Sequence, residues 1–253
     1  MTTPEGFEEV ARLYRHDGGR IDYVRRGGGY VSATGARGKL SRTRDGWTYR
    51  SNDGDVETYD EHGILTRLRS QGSEDITFLY SDGSTPPTVA PAQGLLIRAT
   101  DQQGRALSIV YDLVGRVTSV TDGQGNGATY AYVETDGKKL EADLSRVLYA
   151  DGSSMEYRYN EREHTQGLSQ PHLLTGIIDE NGVRFATFGY DAQGHAVSTT
   201  HALGAEATFI LNETDDRKTV RGPTGALHAY EFSKIRGSRR LVSVNQPGGA
   251  GCG

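Results

Sequence analysis

Tyr111-Asp112-Leu113-Val114-Gly115-Arg116-Val117-Thr118 is the stretch that decides the fold. An apolar strand, Ala106-Leu-Ser-Ile-Val-Tyr111, runs into it, and Val117-Thr-Ser-Val-Thr121 runs out. Asp at the first position of a type I turn accepts a backbone N–H two residues on, and Gly at the fourth supplies the positive φ that returns the chain into a strand. The same Asp-x-x-Gly spacing recurs at Asp60 and Gly63, Asp101 and Gly104, Asp122 and Gly125, Asp179 and Gly182, and Asp191 and Gly194. Neighbouring copies at 101, 112 and 122, and at 179 and 191, lie one short strand plus one turn apart. The pattern predicts an all-β chain of repetitive antiparallel hairpins.

Composition agrees with many tight turns. Of 253 residues 34 are Gly, and only 35% are hydrophobic, so much apolar surface must share strands whose other face is wet. Ile21–Val24, Tyr30–Ala33, Trp47–Arg50, Val56–Tyr59, Leu65–Arg69 and Ile76–Tyr80 read as strands, with turns at 27–29, Asp45-Gly46, Asp53-Gly54, Gly63, Gly72 and Asp82-Gly83. Residues 84–94 hold three of the seven prolines and read as a long connection. Residues 134–146 and 160–171 read as polar excursions with short helical turns. The organisation expected is an N-terminal β region over 1–83, the connection 84–94, a hairpin array over 95–247 and a Gly-rich tail over 248–253.

A net charge of −5 disfavours a nucleic-acid partner, because phosphate neutralisation leaves a basic footprint. Residues 1–50 nevertheless carry ten Lys/Arg against six Asp/Glu, and 51–100 three against eight. The basic stretch reads as a solvated sheet face or as a dock for an acidic neighbour. No apolar run is long enough for a helical membrane span, and no secretory signal opens the sequence. The single cysteine, Cys252, allows no intrachain disulfide and reads as part of a frayed tail.

Catalytic patterns are weak. The seven histidines lack metal-ligand spacing, with His195 and His201 the best pair; no GxSxG elbow occurs; and Arg25-Arg-Gly-Gly-Gly29 lacks the helix that cradles phosphate. Asp122-Gly-Gln-Gly-Asn-Gly127 imitates a calcium loop but has Val133 where the bidentate Glu is needed. No enzyme activity, cofactor or metal is expected, and the recurring Asp and Gly residues read as structural turns.

At Tyr59-Asp60-Glu-His-Gly63, Tyr111-Asp112-Leu-Val-Gly115 and Tyr190-Asp191-Ala-Gln-Gly194 the chain resembles the YD repeats of bacterial RHS-family proteins. The resemblance covers roughly residues 40 to 245, with departures at Thr100 before Asp101 and Ile178 before Asp179. It implies a long, strongly curved sheet, part of a hollow β-cocoon shell around a C-terminal toxin domain of the same polypeptide. Teneurins and insecticidal toxin complexes contain similar shells. The expected partners are the rest of the shell, that toxin domain and a secretion apparatus; the expected setting is secreted or cell-surface, within a larger polypeptide. The self-cleaving aspartate motif and the variable toxin of that family are not recognisable, so a segment of a polymorphic toxin is expected. A surface adhesin or carbohydrate-binding repeat module, presenting residues such as Tyr130 and Tyr132 to glycans, is the alternative. Unpaired terminal strands would favour edge-to-edge oligomerisation.

Overall fold

The computed structural model describes residues 9–15, 18–72, 75–135, 138–202, 207–214, 216–235 and 238–245. Cys252, the Gly-rich tail and the opening Met-Thr-Thr-Pro lie outside them. Among the described residues the chain is all-β apart from one 3₁₀ turn, Arg162–His164. It divides into two units, 1–126 and 127–253.

The first unit opens with a three-stranded antiparallel sheet, β1 (Val10–Tyr14), β2 (Arg20–Arg26) and β3 (Gly29–Ser32), in that order. A meander follows: β4 (Lys39–Arg42), β5 (Trp47–Arg50), β6 (Val56–Tyr59), β7 (Leu65–Arg69), β8 (Asp75–Tyr80), β9 (Leu96–Asp101), β10 (Ala106–Tyr111) and β11 (Val117–Asp122). Each strand pairs antiparallel with the next. The short sheet packs on the start of the meander. Leu13 and Tyr23 meet Leu40 and Tyr49, all nearly inaccessible, with Trp47 and Tyr59 beside them. Burying an aromatic such as Tyr23 contributes about 2–3 kcal/mol, and its hydroxyl is satisfied by donating to the Gly38 carbonyl at 2.9 Å.

The second unit is one meander: β12 (Gly127–Thr135), β13 (Lys138–Tyr149), β14 (Ser154–Tyr159), β15 (Leu174–Ile178), β16 (Arg184–Tyr190), β17 (Ala196–His201), β18 (Ala207–Glu213), β19 (Arg217–Arg221), β20 (Leu227–Ile235) and β21 (Ser238–Asn245). Consecutive strands again pair antiparallel. Its buried positions are few, Val147, Ala186 and Ala229 among the apolar ones and Thr165 and Thr175 among the polar. Strand pairing, rather than a thick core, therefore carries much of the order.

Two sequence expectations need correction. Residues 134–146 are not a polar excursion, because they lie largely within β12 and β13. Leu140, Ala142 and Leu144 alternate, but the pairing slips by one residue at Ser145, and Val147 and Tyr149 resume the alternation out of phase. A bulge thus hid a strand. Asp82-Gly83 does not close a tight hairpin; it opens the longer loop between β8 and β9.

Candidate functional site

The six Asp-x-x-Gly turns share one hydrogen-bond pattern. In each, Asp Oδ1 accepts the main-chain N–H groups two and four residues on, at 2.8–3.0 Å. The Gly N–H donates to the Asp carbonyl at 3.0–3.2 Å, and the Asp N–H donates to the carbonyl after the Gly at 2.8–3.0 Å. Gly63, Gly104, Gly115, Gly125, Gly182 and Gly194 all hold φ between 74° and 88°. This is a type I turn closed by a left-handed residue, a geometry suited to three-residue hairpin loops.

The second carboxylate oxygen is used where the residue after Gly is polar. Arg105 Nε reaches Asp101 at 2.6 Å, Arg116 Nε reaches Asp112 at 2.7 Å, Asn126 Nδ2 reaches Asp122 at 3.1 Å, and His195 Nδ1 lies 3.1 Å from Asp191. For Asp101 and Asp112 desolvation, which alone would raise the pKa, is outweighed by hydrogen bonds to Arg105 and Arg116, so both carboxyls sit below their ordinary range. Asp122 is lowered chiefly by Asn126, and Asp191 by the His195 backbone N–H. These carboxylates are consumed by their own turns, and they offer no free pair for acid/base work. Among the described residues no cluster of three His, Cys, Asp or Glu side chains forms a metal-binding group.

The same backbone geometry occurs without Asp in first place. Ser51, Tyr149 and Gly222 open turns closed by Gly54, Gly152 and Gly225, and Ser51 Oγ accepts the Asp55 N–H at 3.0 Å as a carboxylate would. Ser81 does likewise across a loop. Its N–H and carbonyl bond Leu95 and Gly94 at 2.8 Å, and its Oγ accepts the Leu95 N–H at 2.9 Å, so residues 82–93 stand where two residues stand in a tight turn. Asn160 is the counterpart for 161–172, donating to the Leu173 carbonyl at 3.2 Å and accepting the Gln170 N–H at 2.7 Å.

A tyrosine precedes Ser81, Asp112, Asn160 and Asp191, and its hydroxyl links strands. Tyr80 Oη donates to the Leu65 carbonyl at 2.9 Å, Tyr111 to Leu96 at 2.7 Å, Tyr159 to Leu144 at 2.9 Å and Tyr190 to Leu174 at 2.7 Å. The accepting leucine always sits just before an unpaired bulge residue: Thr66, Ile97, Ser145 or Thr175. Leu65, Leu96, Leu144 and Leu174 are themselves paired with Tyr59, Tyr80, Tyr132 and Tyr159 of the preceding strand. Tyrosine and leucine thus alternate strand by strand, forming a hydrogen-bonded spine within each unit. Burial raises the phenol pKa of Tyr80, Tyr111, Tyr159 and Tyr190, as expected of groups that act as donors only.

Tyr59 is held differently. Its hydroxyl donates to Glu57, whose carboxylate also takes two 2.7 Å bonds from Arg15, and burial together with Glu57 pushes the phenol pKa far up. That half-buried ion pair ties Arg15, just after β1, to the first tyrosine turn.

The two loops inserted after Tyr80 and Tyr159 are anchored to the next tyrosine turn. The Val89 carbonyl accepts the Tyr111 N–H at 2.9 Å, and Gln170 Nε2 donates to the Asp191 carbonyl at 2.9 Å. Glu161 adds a fork of bonds from Arg184 at 2.9 and 2.6 Å and one from Thr175 at 2.7 Å, and its pKa falls to about 2, chiefly through Arg184. Spacing could have exposed the spine: Tyr59 and Tyr80, like Tyr111 and Tyr132, are 21 residues apart. The inserted loops break that period between Tyr80 and Tyr111 and between Tyr159 and Tyr190, and the long β12–β13 hairpin breaks it between Tyr132 and Tyr159.

A chain in which one turn and one tyrosine contact recur hairpin after hairpin is a β-hairpin repeat protein. Residues 91–129 match the family model of the RHS repeat, a span that encloses the Tyr111–Leu96 link and the Asp101, Asp112 and Asp122 turns. That stretch carries an RHS repeat. No curated protein matches the chain. Among solved structures it is similar to the Photorhabdus luminescens Tc holotoxin pore with a mutated TccC3, at 15% identity and a TM-score of 0.36, over 92% of this chain and 14% of that one. It is also similar to a TcdB2–TccC3 crystal structure, at 12% identity and a TM-score of 0.28, over 94% of this chain and 17% of that one. The chain thus spans less than a fifth of the length of either.

Proposed function

We propose that this chain is a wall segment of an RHS-type shell that encloses a toxin domain of the same polypeptide, and that its role is structural rather than catalytic. The observation that supports this reading is the repeated unit itself, a turn that consumes its own carboxylate and a tyrosine that locks each hairpin to its neighbour. Such a unit extends a sheet without limit and leaves few chemical groups unspent. On this reading the polypeptide is a polymorphic toxin acting outside its producer, and residues 1–83 and 95–247 are successive stretches of one wall joined by 84–94. Expressing the complete polypeptide encoded by the gene and digesting it with a broad-specificity protease tests the proposal. A domain that survives inside the intact array and is degraded when expressed alone supports it. Equal degradation in both settings contradicts it.

A further inference from the structure

Residues paired across antiparallel strands share a face, so the register of β4 to β11 places three rows of side chains on one side of the meander. The first row is Lys39, Arg50, Val56, Arg69 and Asp75. The second is Ser41, Thr48, Thr58, Arg67, Thr77 and Thr100. The third is Leu79, Arg98, Ser108 and Thr121. Leu40 and Tyr49 alternate with the first two rows and are buried against Leu13 and Tyr23, so the rows lie on the face that the short sheet leaves uncovered.

Five of these side chains are cationic and one is acidic. The one acid, Asp75, is buried and already spent, since Arg67 donates to it and Arg69 does so twice, at 2.7 and 2.9 Å. Among the described residues Lys39, Arg50 and Arg98 form no ion pair. Asp55, in the adjoining turn, accepts the Gln71 N–H at 3.2 Å, and counting it still leaves five cations against two carboxylates. The whole chain carries a net charge of −5, so the positive excess belongs to this face. Beside the turns at Gly54 and Gly72 a cleft of about 490 Å³ indents the first row, lined by Arg50, Arg69, Ser70, Gln71, Asp75 and Gln102. None of the row residues is aromatic, so the face offers no platform on which nucleic-acid bases stack. Hydroxyls fill the space between the charges, and each can donate and accept. Cations set among hydroxyls complement a chain that carries both carboxylates and hydroxyls. Lys39 in β4 and Arg98 in β9 stand five strand intervals apart, about 24 Å, a reach that calls for a polymer rather than a single sugar.

We propose that this face binds an acidic polysaccharide, a uronic-acid polymer that crosses the strands diagonally from Lys39 to Arg98 and seats one carboxylate in the cleft between Arg50 and Arg69. The inference rests on the first unit alone and not on the shell reading. The probe is an octamer of α-1,4-linked galacturonic acid, titrated calorimetrically into the whole chain. Its methyl ester, an octaglutamate peptide and an eight-nucleotide thymidine strand are the comparisons. Saturable binding of the octamer that weakens as salt screens the charges is expected, with each comparison at least tenfold weaker. Arg50→Gln and Arg98→Gln each remove an exposed cation that holds no ion pair, so the fold should be kept and binding should weaken at least threefold. Arg42→Gln makes the same charge change on the opposite face, beside Trp47, and should leave binding unchanged. No binding, equal binding of the methyl ester, or an equal loss in Arg42→Gln overturns the proposal. Binding of the peptide or of the thymidine strand as tight as that of the octamer also overturns it, assigning the face to an acidic protein or to nucleic acid.

Discussion

Gly115 and Gly176 resist a methyl group for different reasons. Gly115 sits at φ 88° with nothing within 4 Å of a prospective Cβ, so Gly115→Ala should cost only the left-handed backbone penalty, about 1–2 kcal/mol. At Gly176 a Cβ would lie 2.3 Å from Arg184 Nη2, and Gly176→Ala should displace that guanidinium from Glu161. Urea unfolding separates the two when each is combined with Glu161→Gln: the Gly115 penalty stays the same, whereas the Gly176 penalty shrinks. At Asp112, replacement by Ala removes an acceptor of two backbone N–H groups and should cost about 1–2 kcal/mol. Asp112→Ser should recover part of this, because Ser51 and Ser81 already fill the same role. Glu161 sets a pH window. Unfolded it takes a proton near its ordinary 4.5, whereas folded it stays ionised down to about 2. Its contribution is complete above about 4.5 and fades as pH falls toward about 2. Cleavage within 160–173 should rise across that interval in the unaltered chain by more than in Glu161→Gln, where the ion pair is already lost at every pH.

Tyr111→Phe tests the spine at the level of one strand pair. It deletes the bond to the Leu96 carbonyl and should cost about 1 kcal/mol. Tyr130→Phe, in β12 outside the spine, should cost less. Amide exchange should quicken in β9 and β10 while β6 and β7 change little, since repeat elements couple chiefly to their neighbours. What the sequence discloses at this scale follows from locality. Asp-x-x-Gly is legible because every bond of the turn falls within five residues. The Ser81 and Asn160 turns use the same chemistry, but their closing partners, Leu95 and Leu173, lie beyond inserted loops. β1 and β4 escape notice because both are short and β4, Lys39-Leu-Ser-Arg42, offers a single apolar side chain. The tyrosine–leucine links were hidden because a bulge beside each accepting carbonyl shifts the alternation that marks a strand.

At the scale of the whole molecule, the same turn appears in both units, from Asp60 to Asp191, with little variation in its bonds. Uniform units stabilised by nearest neighbours make losses at separate repeats independent. Asp101→Ala and Asp191→Ala share no hydrogen-bond partner and should combine additively, within about 0.5 kcal/mol in equilibrium unfolding. The loops inserted after Tyr80 and Tyr159 are each tied to the next tyrosine turn, so the array accommodates long insertions without losing its register. That tolerance suits a scaffold, and it is why the proposed role belongs to the array rather than to any one residue. The most direct measurement is an electron cryomicroscopy reconstruction of the complete polypeptide encoded by the gene. A closed wall built from these hairpins, with density from another part of the chain held inside it, is the predicted result. An open array with the remaining domains outside it would contradict the shell.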